Sequence, residues 1–228
     1  MHFMKHTTSL AVIGLLSAFG VVAGTHHARA EASVFTQEQL HQQRETFARD
    51  FADKVLAILQ DTKKSFGDRK DVLRQAFSNS VDIDWIAKFV VGRTWNNATD
   101  AQRERYTALY RKFLTESYVT NFAENPDKRI RDIKIFGVND NDSDRDKFTV
   151  RTQMQLADQE DVDVNYLVHD DQNGHYKVLD IVIENVSLIT THRSQFGAIA
   201  SAQGIDTVIA KLEQLLDHKP GVNFSMNE

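Results

Sequence analysis

The sequence predicts an α+β fold: a helical layer packed on a curved antiparallel sheet of about four strands, closed by a short helical tail. Three observations predict it. Apolar residues recur at helical spacing from Gln37 to Phe122, the period changes to two after Pro126, and it turns helical again beyond Phe196. Short links join the strands, so a sequential meander is the simplest topology. With no repeat, low-complexity tract or linker, residues 31–228 are expected to form one domain.

Residues 1–30 read as a signal peptide. Lys5 gives a positive start, Leu10 to Ala23 is an apolar run of signal-core length, and Ala28-Arg29-Ala30 is a small-residue cleavage site. A spanning helix needs roughly 20 apolar residues, so the run is short for an anchor; a retained N-terminal anchor is the alternative. Cleavage after Ala30 removes Lys5 and Arg29 from the 27 basic residues and none of the 32 acidic ones. That leaves 25 against 32, a formal charge of −7. Nucleic-acid binding is disfavoured, since it needs a basic stripe. The chain has no cysteine, which excludes disulfides and thiolate metal sites.

The elements follow in order. Glu31 to Thr36 is expected to be a loose leader. Gln37 to Leu59 carries Leu40, Phe47, Phe51, Val55, Ile58 and Leu59 on one helical face, with Arg44, Arg49 and Lys54 on the wet side. Gly67 breaks the pattern, and Asp68 is positioned to cap a second helix to Phe77. Asp82 or Asp84 caps a third, which stops near Gly92-Arg93, with Trp95 just beyond. Thr99 and Gln102 form a capping box for the clearest helix, to Phe122, whose stripe is Tyr106, Leu109, Tyr110, Phe113, Leu114 and Tyr118.

Ile130 to Val138 is the first strand. Lys147 to Leu156 alternates with Phe148, Val150, Thr152, Met154 and Leu156 on one face, and Val162 to Asp170 repeats the pattern with Val164, Tyr166 and Val168. A turn over 170–174 leads to the fourth strand, Tyr176 to Glu184, apolar on both sides apart from Asp180. The tail from Ser194 to Asp217 reads as one or two helices with a break near Gly204.

Catalytic and metal signatures are sparse. No Gly-rich phosphate loop occurs, and His41, His169, His175, His192 and His218 make no metal-ligand spacing, so neither metal nor cofactor is expected. Asp140, Asp142 and Asp144 begin like a calcium loop, but Arg145 and Arg151 stand where Gly and Glu are needed, and a solvated acidic hairpin fits better. Asp180, between Val178 and Val182 by alternation, could serve as a base in an isomerase or hydrolase pocket with Tyr166 as a donor. With no second acid or His placed beside it by spacing, the favoured reading is that it pairs with Arg193 or caps a turn beneath the sheet. Ser194, His192 and an Asp lack an orienting pattern for a triad. The expectation is a protein that is not an enzyme.

Phenylalanine supplies 14 of the 228 residues. A well-filled core explains that surplus; so does an apolar ligand cavity, which needs many apolar walls and few polar groups.

Two stretches resemble the MlaC family: VDIDWIAKFVVGRTWNNATDAQRERYTALYRKFLTESY, from Val81, and YKVLDIVIENVSLITTHRSQF, from Tyr176. The family-typical positions are Gly92, Arg93, Trp95, Tyr106, Asp180, Val186, Ser187, Leu188, Arg193, Gln195 and Phe196. Asn185 stands where the family usually has Gly, and His192 where an aromatic is common. The resemblance implies a fold like nuclear transport factor 2 and a periplasmic phospholipid carrier. It implies acyl chains between the Thr99 to Phe122 helix and the sheet, with the head group outside. The implied partners are an outer-membrane lipoprotein complex and an inner-membrane ABC transporter complex, serving outer-membrane lipid asymmetry, and the carrier is expected to be a monomer with phospholipid as cargo. On that basis Tyr110, Phe113, Leu114, Val150, Met154, Tyr166, Val168 and Ile183 are the expected tail contacts. Arg93 and Arg193 sit at the cavity mouth or hold the fold.

Overall fold

The computed structural model describes residues 36–61, 63–124, 130–141, 144–157, 159–170 and 174–217; the signal-peptide reading of residues 1–30 lies outside them. Helix α1 (Gln37–Gln60) opens the described chain. Thr36 starts it with a capping box: its hydroxyl accepts from Gln39 N, and the Gln39 side chain accepts from Thr36 N. This residue therefore belongs to the helix start and not to the loose leader. Helix α2 (Phe66–Ser80) is capped by Ser65, whose Oγ accepts from Asp68 N. Gly67 lies in its first turn instead of breaking the helix, and Asp68 complements the helix dipole there.

Asp82 caps α3 (Ile83–Val91) through Trp85 N, and Gly92 ends it at φ +56°. A single turn, α4 (Thr94–Asn97), carries Trp95. Thr99 and Gln102 form the expected capping box at the start of α5 (Asp100–Glu124).

The sheet is an antiparallel meander of five strands in chain order: β1 (Ile130–Asp140), β2 (Lys147–Leu156), β3 (Val162–Asp170), β4 (Tyr176–Ile183) and β5 (Val186–Ser187). Helices followed by an antiparallel sheet is the predicted class; the short fifth strand is added to it. Glu184 and Asn185 make the β4–β5 turn with both φ positive, 47° and 67°, the primed geometry favoured in two-residue hairpins. Asn tolerates the left-handed region, which suits Asn185 to this turn at φ 67°.

In β2, Phe148, Val150, Thr152, Met154 and Leu156 are all buried, as alternation requires. β4 departs from alternation. Its register against β3 jumps from Val168↔Val178 to Leu167↔Asp180, so Leu179 is an inserted bulge residue. Val178, Leu179 and Asp180 are consequently buried in succession. The placement of Asp180 between Val178 and Val182 on one face is corrected by this bulge.

The tail comprises α6 (Leu188–His192), a π-turn (Arg193–Gly197), α7 (Ala198–Gln203) and α8 (Ile205–Asp217), with the break at Gly204. The π-turn is the one irregular element in it.

Arg44 is the largest correction on α1. It is buried at 3% exposure, not on the wet side. Its guanidinium donates to Asp170 (3.0 Å), Asp140 (2.8 Å) and the Arg145 carbonyl (2.7 Å), and lies over the Phe148 ring. Burial works to raise the Asp140 carboxyl, but hydrogen bonds from Arg44 and His41 outweigh it and hold the pKa below its ordinary value. The acidic hairpin is thus a docking point for α1 and not merely solvated; Asp144 turns to Lys147, and Asp142 lies outside the described residues.

Candidate functional site

An apolar cavity of about 560 Å³ lies where α1 and α2 pass over the sheet. Helix α1 contributes Phe51, Val55, Ile58 and Leu59, and α2 contributes Leu73, Ala76 and Phe77. The sheet supplies Met154, Val164, Tyr166, Val178, Ile181 and Ile183. Leu188, Val81 and the end of α5, through Tyr118 and Val119, complete the wall. The β4 bulge matters here: after the inserted residue, Ile181 and Ile183 share the cavity with Val178. Lys54, Asn79 and Ser80 are the polar residues at its rim. The walls are held by ring contacts, Phe51 edge-on to Tyr166 at 5.4 Å and Phe77 stacked on Tyr118 at 5.7 Å. The chemistry of such a space is sequestration of hydrocarbon.

The eight expected tail contacts divide. Met154, Tyr166 and Ile183 line the cavity. Leu114 borders a much smaller void beneath it, with Asp180 and His192. Tyr110 and Phe113 pack in an aromatic cluster with His192 and Phe196. Val150 and Val168 are buried in the core on the inner strands, Val150 paired with Tyr166 and Val168 with Phe148. The helical side of the cavity is therefore built mainly on α1 and α2, with α5 contributing Tyr118 and Val119 among the described residues. The α1 residues were visible in the sequence as an apolar stripe, which helical spacing alone assigns equally to a core or to a cavity.

Asp180 is fixed in place as a cap. Its Oδ2 accepts from Ser187 Oγ at 2.6 Å and its Oδ1 from Ile189 N at 3.1 Å, joining β4 to the start of α6. Burial raises its pKa, with these hydrogen bonds opposing. It borders the small void and does not line the large cavity. Both carboxylate oxygens are thus engaged, and Tyr166 faces the large cavity.

Arg193 donates to the Phe89 carbonyl, lies over the Phe89 ring at 4.6 Å, and packs against Gly92. Arg93 is exposed at the start of α4. Neither lines the cavity. Arg193 ties the π-turn to the end of α3. His192, on α6, is buried with its Nδ1 2.8 Å from the Tyr110 hydroxyl, and desolvation lowers its pKa to about 4. Among the described residues no group of three His, Cys, Asp or Glu is arranged to hold a metal ion.

The family model described as MlaC protein matches residues 49–214, well over half of the chain. The chain belongs to the MlaC family. The intermembrane phospholipid transport system binding protein MlaC of Haemophilus influenzae is 23% identical over 172 residues, covering 72% of this chain and 77% of the relative. A phospholipid-binding protein from Ralstonia solanacearum, solved in complex with a phospholipid, superposes with a TM-score of 0.63 at 20% identity. The match covers 76% of this chain and 97% of that one. At that identity the likeness concerns the fold. The matched MlaC region contains every cavity-lining residue named above.

Proposed function

We propose that this chain is a periplasmic phospholipid carrier, exported by cleavage after Ala30, that takes the acyl chains into the cavity between α1, α2 and the sheet. The apolar cavity of about 560 Å³ is the observation that carries the reading; its volume lies within the roughly 300–1,000 Å³ of ligand pockets. Membership of the MlaC family and the phospholipid-bound structural relative support it. Each buried methylene is worth about 0.8 kcal/mol, so two long chains bring on the order of 20 kcal/mol of gross transfer free energy. A carrier crossing water has to shield those chains, and an apolar pocket between helix and sheet does so.

The carrier acts as a monomer and exchanges lipid with an outer-membrane lipoprotein complex and an inner-membrane ABC transporter complex, in the service of outer-membrane lipid asymmetry. Met154, Tyr166 and Ile183 contact the tails directly, together with Phe51, Val55 and Ile181. Tyr110, Phe113, Leu114, Val150 and Val168 form the packed backing behind those walls, and Arg93 and Arg193 serve the fold. Asp180 has the role of a cap, with no part in catalysis. Native mass spectrometry of protein purified from a bacterial periplasm, followed by solvent extraction, tests the reading. A bound phospholipid mass is expected; a folded protein that is consistently empty would overturn it.

A further inference from the structure

Beside the apolar cavity runs a second space of about 740 Å³, an open groove lined by polar and aromatic side chains. The two share Phe51, Lys54 and Ser80, so the groove continues the cavity outward. Helix α1 orders the chemistry along it. The cavity takes Val55, Ile58 and Leu59; Lys54 stands at the junction; Asp50 lies one turn further out, followed by Thr46, Gln43 and Gln42. Phe47 and Tyr176, with ring centroids 4.6 Å apart, also line this groove.

Lys54 and Asp50 have the acid-first i,i+4 spacing that favours a helix ion pair, yet neither makes an ion pair with any described residue. Glu45 and Arg49, at the same spacing five residues earlier, do pair, at 3.0 Å. Among the described residues, then, no counter-charge takes either group away from the groove. Four residues of helix separate their backbones by about 6 Å, on the scale of the short linker between the phosphate and the amine of a zwitterionic head group. A lipid with its chains in the cavity would bring its phosphate past Lys54 first and its ammonium to Asp50 and the faces of Phe47 and Tyr176 next.

We propose that this groove is a head-group subsite selecting phospholipids whose phosphate carries an ammonium, with Lys54 on the phosphate and Asp50 on the amine. The proposal rests on the carrier reading and adds selectivity to it. The purified protein is stripped of lipid and incubated with vesicles of equal phosphatidylethanolamine and phosphatidylglycerol, and the captured lipids are quantified by mass spectrometry as a ratio. Wild type is expected to favour the ethanolamine lipid severalfold, and Asp50→Asn to bring the ratio close to that of the vesicles. Asp53→Asn removes the same charge from an exposed position of α1 outside the groove and is expected to keep the wild-type ratio. A wild-type ratio equal to the vesicles, or an equal fall in both variants, overturns the subsite while leaving the carrier reading intact. Capture of neither lipid by wild type overturns both.

Discussion

Arg44 Nε donates to Asp170 Oδ2 at 3.0 Å, and both side chains are almost wholly buried. The pair joins α1 to the end of β3, and Asp140 extends it to the end of β1. Helix α1 is thereby fastened to the sheet at one end while its other half walls the cavity. Removing the guanidinium takes a positive charge from beside the buried Asp170 carboxylate and from Asp140. Arg44→Met is expected to destabilise the fold by about 3–5 kcal/mol, measured by urea unfolding. Arg44→Met with Asp170→Asn should recover roughly 1–3 kcal/mol of that loss through coupling. Additive losses in the double variant would contradict the pairing.

His192 makes stability depend on pH. Its folded pKa of about 4 lies below the unfolded value of about 6.5, so the unfolded chain binds more protons between those values. Stability is full above about pH 6.5 and falls as pH drops toward 4, by about 3 kcal/mol in all. Asp180, raised by burial, acts in the opposite sense above the ordinary carboxylate value. The histidine is isolated by comparing wild type with His192→Phe. The variant should lose the slope between pH 6.5 and 4 in denaturant titrations, although the Tyr110 hydroxyl then lacks its hydrogen-bond partner and absolute stability falls by about 1–3 kcal/mol. An unchanged slope would contradict the assignment.

The order of elements, the Thr99 cap and the inward faces of β2 and β3 were legible because each follows from a local period or a short motif. Arg44 was legible in part: it lies four residues from both Leu40 and Ala48, in register with the apolar stripe, but its acids are about a hundred residues away. The β4 bulge was hidden, since no glycine marks it and only pairing with β3 reveals it. The cavity's position was hidden for a related reason. An apolar stripe states that a face avoids water, and the packing of whole helices decides whether it meets side chains or an open space.

Gly197 tests the junction between the π-turn and α3. A Cβ at this position would lie 2.7 Å from the Val90 carbonyl oxygen, too close for backbone to tolerate without movement. Gly197→Ala should push the turn away from α3 and disturb the Arg193 contact with Phe89. A loss of about 1–3 kcal/mol is expected from such overpacking, read as a lower denaturation midpoint with an unchanged slope. A stability equal to wild type would mean that the turn and α3 move apart freely.

Ala76 lies on the α2 wall of the cavity. Ala76→Phe would put a ring into space that the carrier reading reserves for acyl chain. Filling an existing void adds apolar contacts without displacing packed atoms, so stability should hold within about 1.5 kcal/mol. Bound phospholipid, measured by native mass spectrometry, should fall severalfold. Asp180→Asn provides the contrast. It weakens the cap on α6 by about 0.5–2 kcal/mol but leaves the large cavity's wall unaltered, so its lipid content should match wild type. If Ala76→Phe retains lipid in full while Asp180→Asn loses it, the binding space lies around the small void beside Asp180 and not between α1, α2 and the sheet.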